Sequence, residues 1–129
     1  MNRHPRCLIV DDVLQIHHRM IAEFGGSAEV RDQGLLQSAV SMPRSQFAGK
    51  YLHDSLPAMA AAYLHHLCCN HPFVDGNKRT EMASAAMFIL INDDRLDATN
   101  DELERLTLAV ATGTMPKSEV TEFMQNHIR

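Results

Sequence analysis

The chain has 129 residues, of which 45% are apolar, and its formal net charge is −4. A chain of this size and composition can bury a core that is stable alone, so we expect a single domain over residues 1–129. Because no cluster of lysine or arginine marks a basic face, direct DNA or RNA binding is disfavoured.

The N-terminal residues and the cysteines indicate the cellular compartment of the protein. No secretory leader is apparent, and no segment reaches about 18 uninterrupted apolar residues, so no membrane partner is expected. Cys7, Cys68 and Cys69 cannot all pair, and the two vicinal cysteines do not suit an ordinary structural disulfide. We therefore expect a soluble, cytoplasmic protein with reduced thiols.

The first predicted helix follows a short β-prone stub, Leu8–Val10. Asp11 or Asp12 can cap the helix, which ends at about Phe24, before two glycines. Its predicted buried face consists of Val13, Ile16, Met20 and Phe24.

The same helix carries two histidines, His17 and His18. Neither has a metal-ligand partner at a suitable local spacing, so both are interpreted as surface or partly satisfied histidines without an assigned role.

A second, shorter helix is predicted between Asp32, which can cap it, and Pro43, which ends it. Its buried stripe is predicted to consist of Leu35, Leu36, Ala39 and Val40. Arg31 is interpreted as support for the local turn, and the alternative is that its side chain reaches a functional site.

Residues 44–55 show no helical period and mix aromatic residues with glycine, as exposed functional loops often do, although a plain connector is nearly as consistent with the sequence. Ser55 and Pro57 then open a third helix that ends at Asn70.

The remaining elements are also helical. Residues 81–91 are apolar on nearly every side, which is typical of a helix enclosed by others. A fifth helix is capped by Thr99 or Asn100, and a sixth begins near Pro116 to Ser118. The sequence therefore predicts an all-α domain, a compact bundle of about six helices around a buried central helix.

The densest chemistry lies between the third and fourth helices, in the stretch HPFVDGNKRT at 71–80. The first turn of a helix presents unpaired backbone N–H groups, and Gly76 lets an anion approach that backbone closely. Asn77 can donate through its amide, Lys78 adds a point charge, and Arg79 adds a planar fork. These groups together are typical of a phosphate-binding loop.

Two further side chains of this loop suit chemistry on a bound polyphosphate. Mg²⁺ is usually held by one or two carboxylates together with phosphate oxygens, and Asp75 is placed to be such a ligand. His71 is a side chain that can take a proton from an attacking hydroxyl near neutral pH.

This motif resembles the signature of the Fic/Doc superfamily, and its lysine variant is similar to the Doc (death on curing) toxins of bacterial toxin–antitoxin pairs. The resemblance extends over residues 10–17, 31–39 and 58–80. It implies ATP or another nucleoside triphosphate, with Mg²⁺ at Asp75, as cofactors. It implies catalysis by His71, Lys78 and Arg79, and nucleotide binding by Gly76, Asn77, Lys78 and Arg79. It also makes residues 44–55 a flap over the cleft, with Gln46 and Phe47 positioning the target chain.

The sequence departs from adenylyl-transferring Fic enzymes, which resemble one another in HPFxxGNGRxxR, at two positions. Lys78 replaces the second glycine, and Met82 replaces the second arginine. Doc toxins are understood as kinases that bind the nucleotide in the reverse orientation, so the resemblance implies transfer of the γ-phosphoryl group. The implied target is a hydroxyl of elongation factor Tu, whose modification arrests translation.

The resemblance also implies a cognate antitoxin whose tail folds as a helix in a groove on the toxin. We expect that groove beside the first helix, with Met20 and Phe24 as candidate lining residues. Two other functions stay open: AMP transfer with the same base, His71, and a non-catalytic module that binds an anion or a partner.

Overall fold

The computed structural model describes residues 4–129, so the first three residues of the stretch inspected for a leader lie outside it. Within these residues the chain forms six α-helices, which confirms the predicted all-α class. The helices are α1 Val10–Phe24, α2 Gln33–Ser41, α3 Leu56–Asn70, α4 Asn77–Ile91, α5 Asn100–Ala111 and α6 Lys117–His127. A 3-10 turn at Met42–Arg44 and a hairpin of β1 (Gln46–Phe47) and β2 (Lys50–Tyr51) lie between α2 and α3.

The bundle surrounds α3, whose sides pack against α2, α4, α5 and α6. Its middle, Ala60 to Leu64, is fully buried, and the three successive alanines allow neighbouring helices to approach closely. A bundle around a buried central helix is thus confirmed, but the central helix is α3 and not the helix that follows the motif. Although α4 is apolar on nearly every side, its Leu90 is 59% exposed.

Three of the predicted caps are present. The side chains of Asp32, Ser55 and Thr99 accept hydrogen bonds from the N–H groups at the third helical positions, as N-caps do. The predicted flap residues Gln46 and Phe47 form one strand of the hairpin.

The start of α1 differs from the prediction. The helix begins at Val10, and the Asp12 carboxylate accepts from the N–H of Ile9, the N-cap residue, at 2.8 Å. The β-prone stub does not form a strand, because Val10 is helical and the N–H of buried Leu8 donates to the Tyr63 hydroxyl at 2.8 Å.

The buried face of α1 is also narrower than predicted. Val13 is buried and Ile16 and Met20 are half-buried, but Phe24 is 51% exposed. The fully buried partner of Val13 on this helix is His17. In the part of the chain that is described, no helix combines the length and the apolar character needed to cross a membrane.

A carboxyl group is buried between α3 and α4. Glu81 is 1% exposed, and its Oε1 atom makes no hydrogen bond within the described residues. Burial raises the pKa of Glu81 to about 8, and the neighbouring Cys68 thiol and Lys78 ammonium only partly oppose that rise. The protein therefore folds with this group protonated near neutral pH.

Glu81→Gln should stabilise the protein at alkaline pH. The penalty for burying Glu81 is absent below pH 4.5, grows as the pH rises, and is complete above about pH 8. At pH 8 the substitution should raise the free energy of unfolding by up to roughly 4 kcal/mol, and its benefit should fall below about 1 kcal/mol at pH 5. Urea unfolding across this range measures the difference. The exposed Glu104→Gln serves as control, and a pH-independent effect of Glu81→Gln would contradict the assignment.

Candidate active site

The loop between α3 and α4 contains two residues in the left-handed region. His71 ends α3 at φ 46° and ψ 58°, and Gly76 precedes α4 at φ 78°. Glycine adopts this conformation freely, whereas for a histidine it costs about 1 kcal/mol. The surrounding structure therefore has to hold His71 in place.

A segment between α1 and α2, residues 27–32, runs antiparallel along this loop, and we call it the strap. The Val74 N–H donates to the Glu29 carbonyl at 3.1 Å, and the Arg31 N–H donates to the Pro72 carbonyl at 2.7 Å. The strap thus pairs with the loop as an extra strand would.

The Arg31 side chain adds a second contact to the same backbone. Its Nε donates to the His71 carbonyl at 2.7 Å, and its Nη2 donates to the Asn70 carbonyl at 2.8 Å. Both carbonyls lie at the C-terminus of α3, where they have no helical partner and where a cation is favoured. Arg31 therefore gives structural support, as predicted, but the backbone that it supports is the loop itself.

Asn77 holds the loop from inside. Its side chain is buried, and its amide both donates to the Phe73 carbonyl at 2.8 Å and accepts from the Phe73 N–H at 3.1 Å. Its Nδ2 also lies 3.2 Å from His71 Nε2. In this structure the side-chain amide of Asn77 therefore faces the loop, while its backbone N–H lies in the first turn of α4.

That contact selects one tautomer of the neutral His71 ring. An amide nitrogen only donates, so Nε2 of His71 accepts and the hydrogen of the neutral ring lies on Nδ1. The His71 ring belongs to an exposed residue and has a nitrogen lone pair directed at Asn77. That nitrogen is the ring atom able to take up a proton.

Asp75 is fixed at two points. Its Oδ2 accepts from the Ser27 N–H at 2.7 Å, and its backbone carbonyl accepts from His17 Nε2 at 2.8 Å. Among residues 4–129, nothing hydrogen-bonds to its Oδ1. Three metal-ligating side chains do not come together anywhere in the described chain, so a Mg²⁺ ion here would rely on Asp75 and on phosphate oxygens, as Mg²⁺ commonly does.

The N-terminus of α4 is open. Its N-cap residue, Gly76, provides no side-chain cap. The backbone N–H groups of Asn77, Lys78 and Arg79 have no hydrogen-bond partner in the described structure. Lys78 and Arg79 are exposed, and the Arg79 guanidinium lies 4.0 Å from the centroid of the Phe24 ring. This end of the helix can bind a phosphate group.

The structure therefore brings the predicted site residues together on one loop and one helical turn. They are His71, Asp75, Gly76, Asn77, Lys78 and Arg79. The predicted flap residues belong to a separate element, a hairpin whose two-residue turn, Ala48-Gly49, has positive φ at both positions and suits a type I′ turn. Phe47 on this hairpin is 76% exposed.

Sequence reasoning missed one residue of this region. His17 was interpreted as a surface or partly satisfied histidine, but it is 2% exposed and stacks on Phe73 with ring centroids 3.7 Å apart. Its neighbour His18 is exposed. The burial of His17 could have been inferred from its position, because it lies one helical turn after the buried Val13 and so on the same face.

Comparison with known proteins agrees with this architecture. A sequence model described as the Fic/DOC family matches residues 7–89, which include the loop, the strap and the hairpin. The chain is 45% identical over 91 residues to Toxin Doc of Mycolicibacterium smegmatis, covering 69% of this chain and 70% of that protein. It is 28% identical over 115 residues to Protein kinase doc of Escherichia phage P1, covering 89% and 90%. Because the family model matches more than half of the chain and one relative is 45% identical over 69% of it, the chain belongs to the Fic/DOC family.

Proposed function

We propose that this protein is the toxin of a toxin–antitoxin pair and that it transfers the γ-phosphoryl group of ATP to a hydroxyl of a protein. One combination of groups supports the proposal. His71 is exposed, the Asp75 carboxylate has one oxygen without a hydrogen bond among the described residues, and the first N–H groups of α4, beside Lys78, are unpaired there. The names of its relatives, Toxin Doc and Protein kinase doc, point the same way.

The chain's own groups account for each part of the transfer. The N–H groups of α4 and the cations Lys78 and Arg79 bind the polyphosphate, because phosphoryl transfer depends mainly on positioning and charge. Asp75 would hold Mg²⁺, which neutralises charge on the phosphate oxygens. His71 Nε2 releases the Asn77 amide and takes the proton of the target hydroxyl. The hydroxyl oxygen bonds to the γ-phosphorus as the bond to the bridging oxygen breaks, and the nucleoside diphosphate leaves.

Arg79 can exchange its contact with Phe24 for a contact with a phosphate. A cation over an exposed aromatic ring contributes about 0.5–1 kcal/mol. Hydrogen bonds between charged groups contribute about 1.5–3 kcal/mol each, so the phosphate is the preferred partner. Until a nucleotide binds, the contact with Phe24 keeps the Arg79 side chain beside the site.

The target in this proposal is elongation factor Tu, as the family resemblance implies. The hairpin fits the binding of a target segment, because Phe47 offers exposed apolar surface next to Gln46 on the same strand. Action on translation places the protein in the cytoplasm.

An antitoxin is the second proposed partner. A cavity of about 200 Å³ lies between α1 and α4, and it is lined by Leu8, Asp12, Gln15, Ile16, Arg19, Met87 and Ile91. Its apolar floor and polar rim suit an amphipathic helix. The expected Met20 and Phe24 are not among the residues that line it. We propose that the helical tail of the antitoxin binds in this groove.

The donated group decides the reaction class. Purified protein, Mg²⁺ and elongation factor Tu are incubated with ATP labelled at the γ- or the α-phosphate. We expect the γ-label alone on the factor, and we expect its loss in His71→Ala, which removes the base. The exposed His18→Ala is the control and should transfer normally. Transfer of the α-label would make the protein an adenylyltransferase, and transfer of neither label would favour a non-catalytic module.

Lys78→Gly should lose γ-phosphoryl transfer by at least about tenfold, because a flexible cation beside the phosphate is replaced by bare backbone. Lys78→Arg keeps the charge and should retain part of the activity. We do not expect AMP transfer to appear, since Met82 still lacks the arginine of Fic enzymes. Full γ-transfer by Lys78→Gly would refute the argument on nucleotide orientation.

The antitoxin groove can be tested by calorimetry with the protein encoded beside this gene. Binding should block phosphoryl transfer and raise the melting temperature of the toxin by mass action. Arg19→Glu reverses a charge on the rim of the groove and should weaken binding, whereas the exposed Arg105→Glu on α5 should not. Equal affinity of both variants would place the antitoxin elsewhere.

A further inference from the structure

His17 is a buried polar side chain in direct contact with the loop. Its ring lies nearly parallel to the Phe73 ring, at an interplanar angle of 7°, and its Nε2 lies 2.8 Å from the Asp75 carbonyl oxygen. A carbonyl oxygen only accepts hydrogen bonds, so Nε2 carries a hydrogen and is the donor. The orientation of the ring is thus fixed both by packing and by a hydrogen bond.

The peptide that His17 holds is the one on which the loop turns. The carbonyl of Asp75 belongs to the peptide unit that leads into Gly76, the left-handed residue before α4. The ring also lies against the turn itself, because a Cβ atom on Gly76 would be 3.6 Å from His17 Nε2. His17 therefore fixes the turn from the side of α1.

Asp75 is consequently held between two elements. The strap fixes its carboxylate through the Ser27 N–H, and α1 fixes its carbonyl through His17. Gly26 completes the arrangement, since a Cβ atom there would lie 3.0 Å from Asp75 Cβ. The contacts with Ser27 and His17 together fix the direction of the free carboxylate oxygen of Asp75.

We propose that His17 is a positioning residue, which aims the Asp75 carboxylate and the first N–H groups of α4 at the metal-bound polyphosphate. The role rests on the proposed function, because it assumes that this loop binds Mg²⁺ and a nucleotide. His17 itself touches neither the substrate nor the reacting atoms. It acts by holding the Asp75–Gly76 peptide.

The size of the effect follows from what the contact prevents. Without the donor, the Asp75 carbonyl loses its partner at a partly buried site, and the peptide is free to rotate towards solvent. A displacement of about 1 Å at a reacting centre can cost on the order of a hundredfold in rate. A change in the hydrogen bond alone should therefore be visible in turnover.

Two variants of nearly equal shape isolate the hydrogen bond. His17→Gln places an amide N–H as many bonds from Cβ as Nε2, whereas His17→Met fills similar space without a donor. We expect His17→Met to lower kcat by about tenfold to a hundredfold and to raise the Mg²⁺ concentration required for half-maximal rate. His17→Gln should stay within a few-fold of the wild type. The same substitutions at the exposed His18 are the controls.

A purely structural role predicts a different pattern. If His17→Met lowers the melting temperature but leaves kcat and the Mg²⁺ requirement unchanged, the proposal is wrong. It is also wrong if the folded His17→Gln protein is as impaired as His17→Met, because the donor would then not be the relevant feature.

Two measurements without nucleotide keep this test separate from the proposed function. NMR of the histidine nitrogens should show a hydrogen on Nε2 of His17, and amide exchange of Val74 should accelerate in His17→Met but not in His17→Gln. A ring protonated only on Nδ1, or equal exchange in both variants, would overturn the positioning role even in an active enzyme. If both measurements give the expected result but the wild-type protein transfers no label, His17 holds the loop as proposed and the kinase reaction is rejected.

Discussion

The site depends on a backbone constraint, namely that the chain reverses between α3 and α4 through a left-handed histidine. Such a residue is stable only when its neighbours compensate for its conformation. Here Arg31 binds the last carbonyls of α3, and the Asn77 amide closes the loop from within. The reversal leaves the His71 ring exposed at one end of the loop and the N–H groups of α4 exposed at the other.

Much of this arrangement could be predicted because local rules govern it. The caps at Asp32, Ser55 and Thr99 depend on residues three positions apart, and the chemistry of the 71–80 loop is visible in its composition. The contacts that hold the loop could not be predicted in the same way. His17 and Asp75 are 58 positions apart, and the acceptors of Arg31 are backbone carbonyls, which leave no signal in the sequence.

The identity of the central helix shows a second limit of pattern reading. Apolar residues on every side indicate that a helix can be buried, but they do not show how much of it the other helices cover. In α4 the loop end is buried through polar side chains such as Asn77, Thr80 and Glu81, while apolar Leu90 is exposed at the other end. The central helix is α3 because its alanines let several helices pack closely against it at once.

The C-terminal helices lie beyond the range that matches the family, yet they support the region that does. Lys117, the first residue of α6, lies 3.1 Å from His53 Nε2 at the base of the hairpin and 3.3 Å from His66 Nε2 on α3. Burial lowers the pKa of His66 to about 4, and it also lowers the pKa of His53. Both rings are therefore neutral at physiological pH and accept hydrogen bonds from Lys117. An ammonium group thus joins α6, α3 and the hairpin without a carboxylate. Residues outside the matched range therefore hold the base of the hairpin against α3.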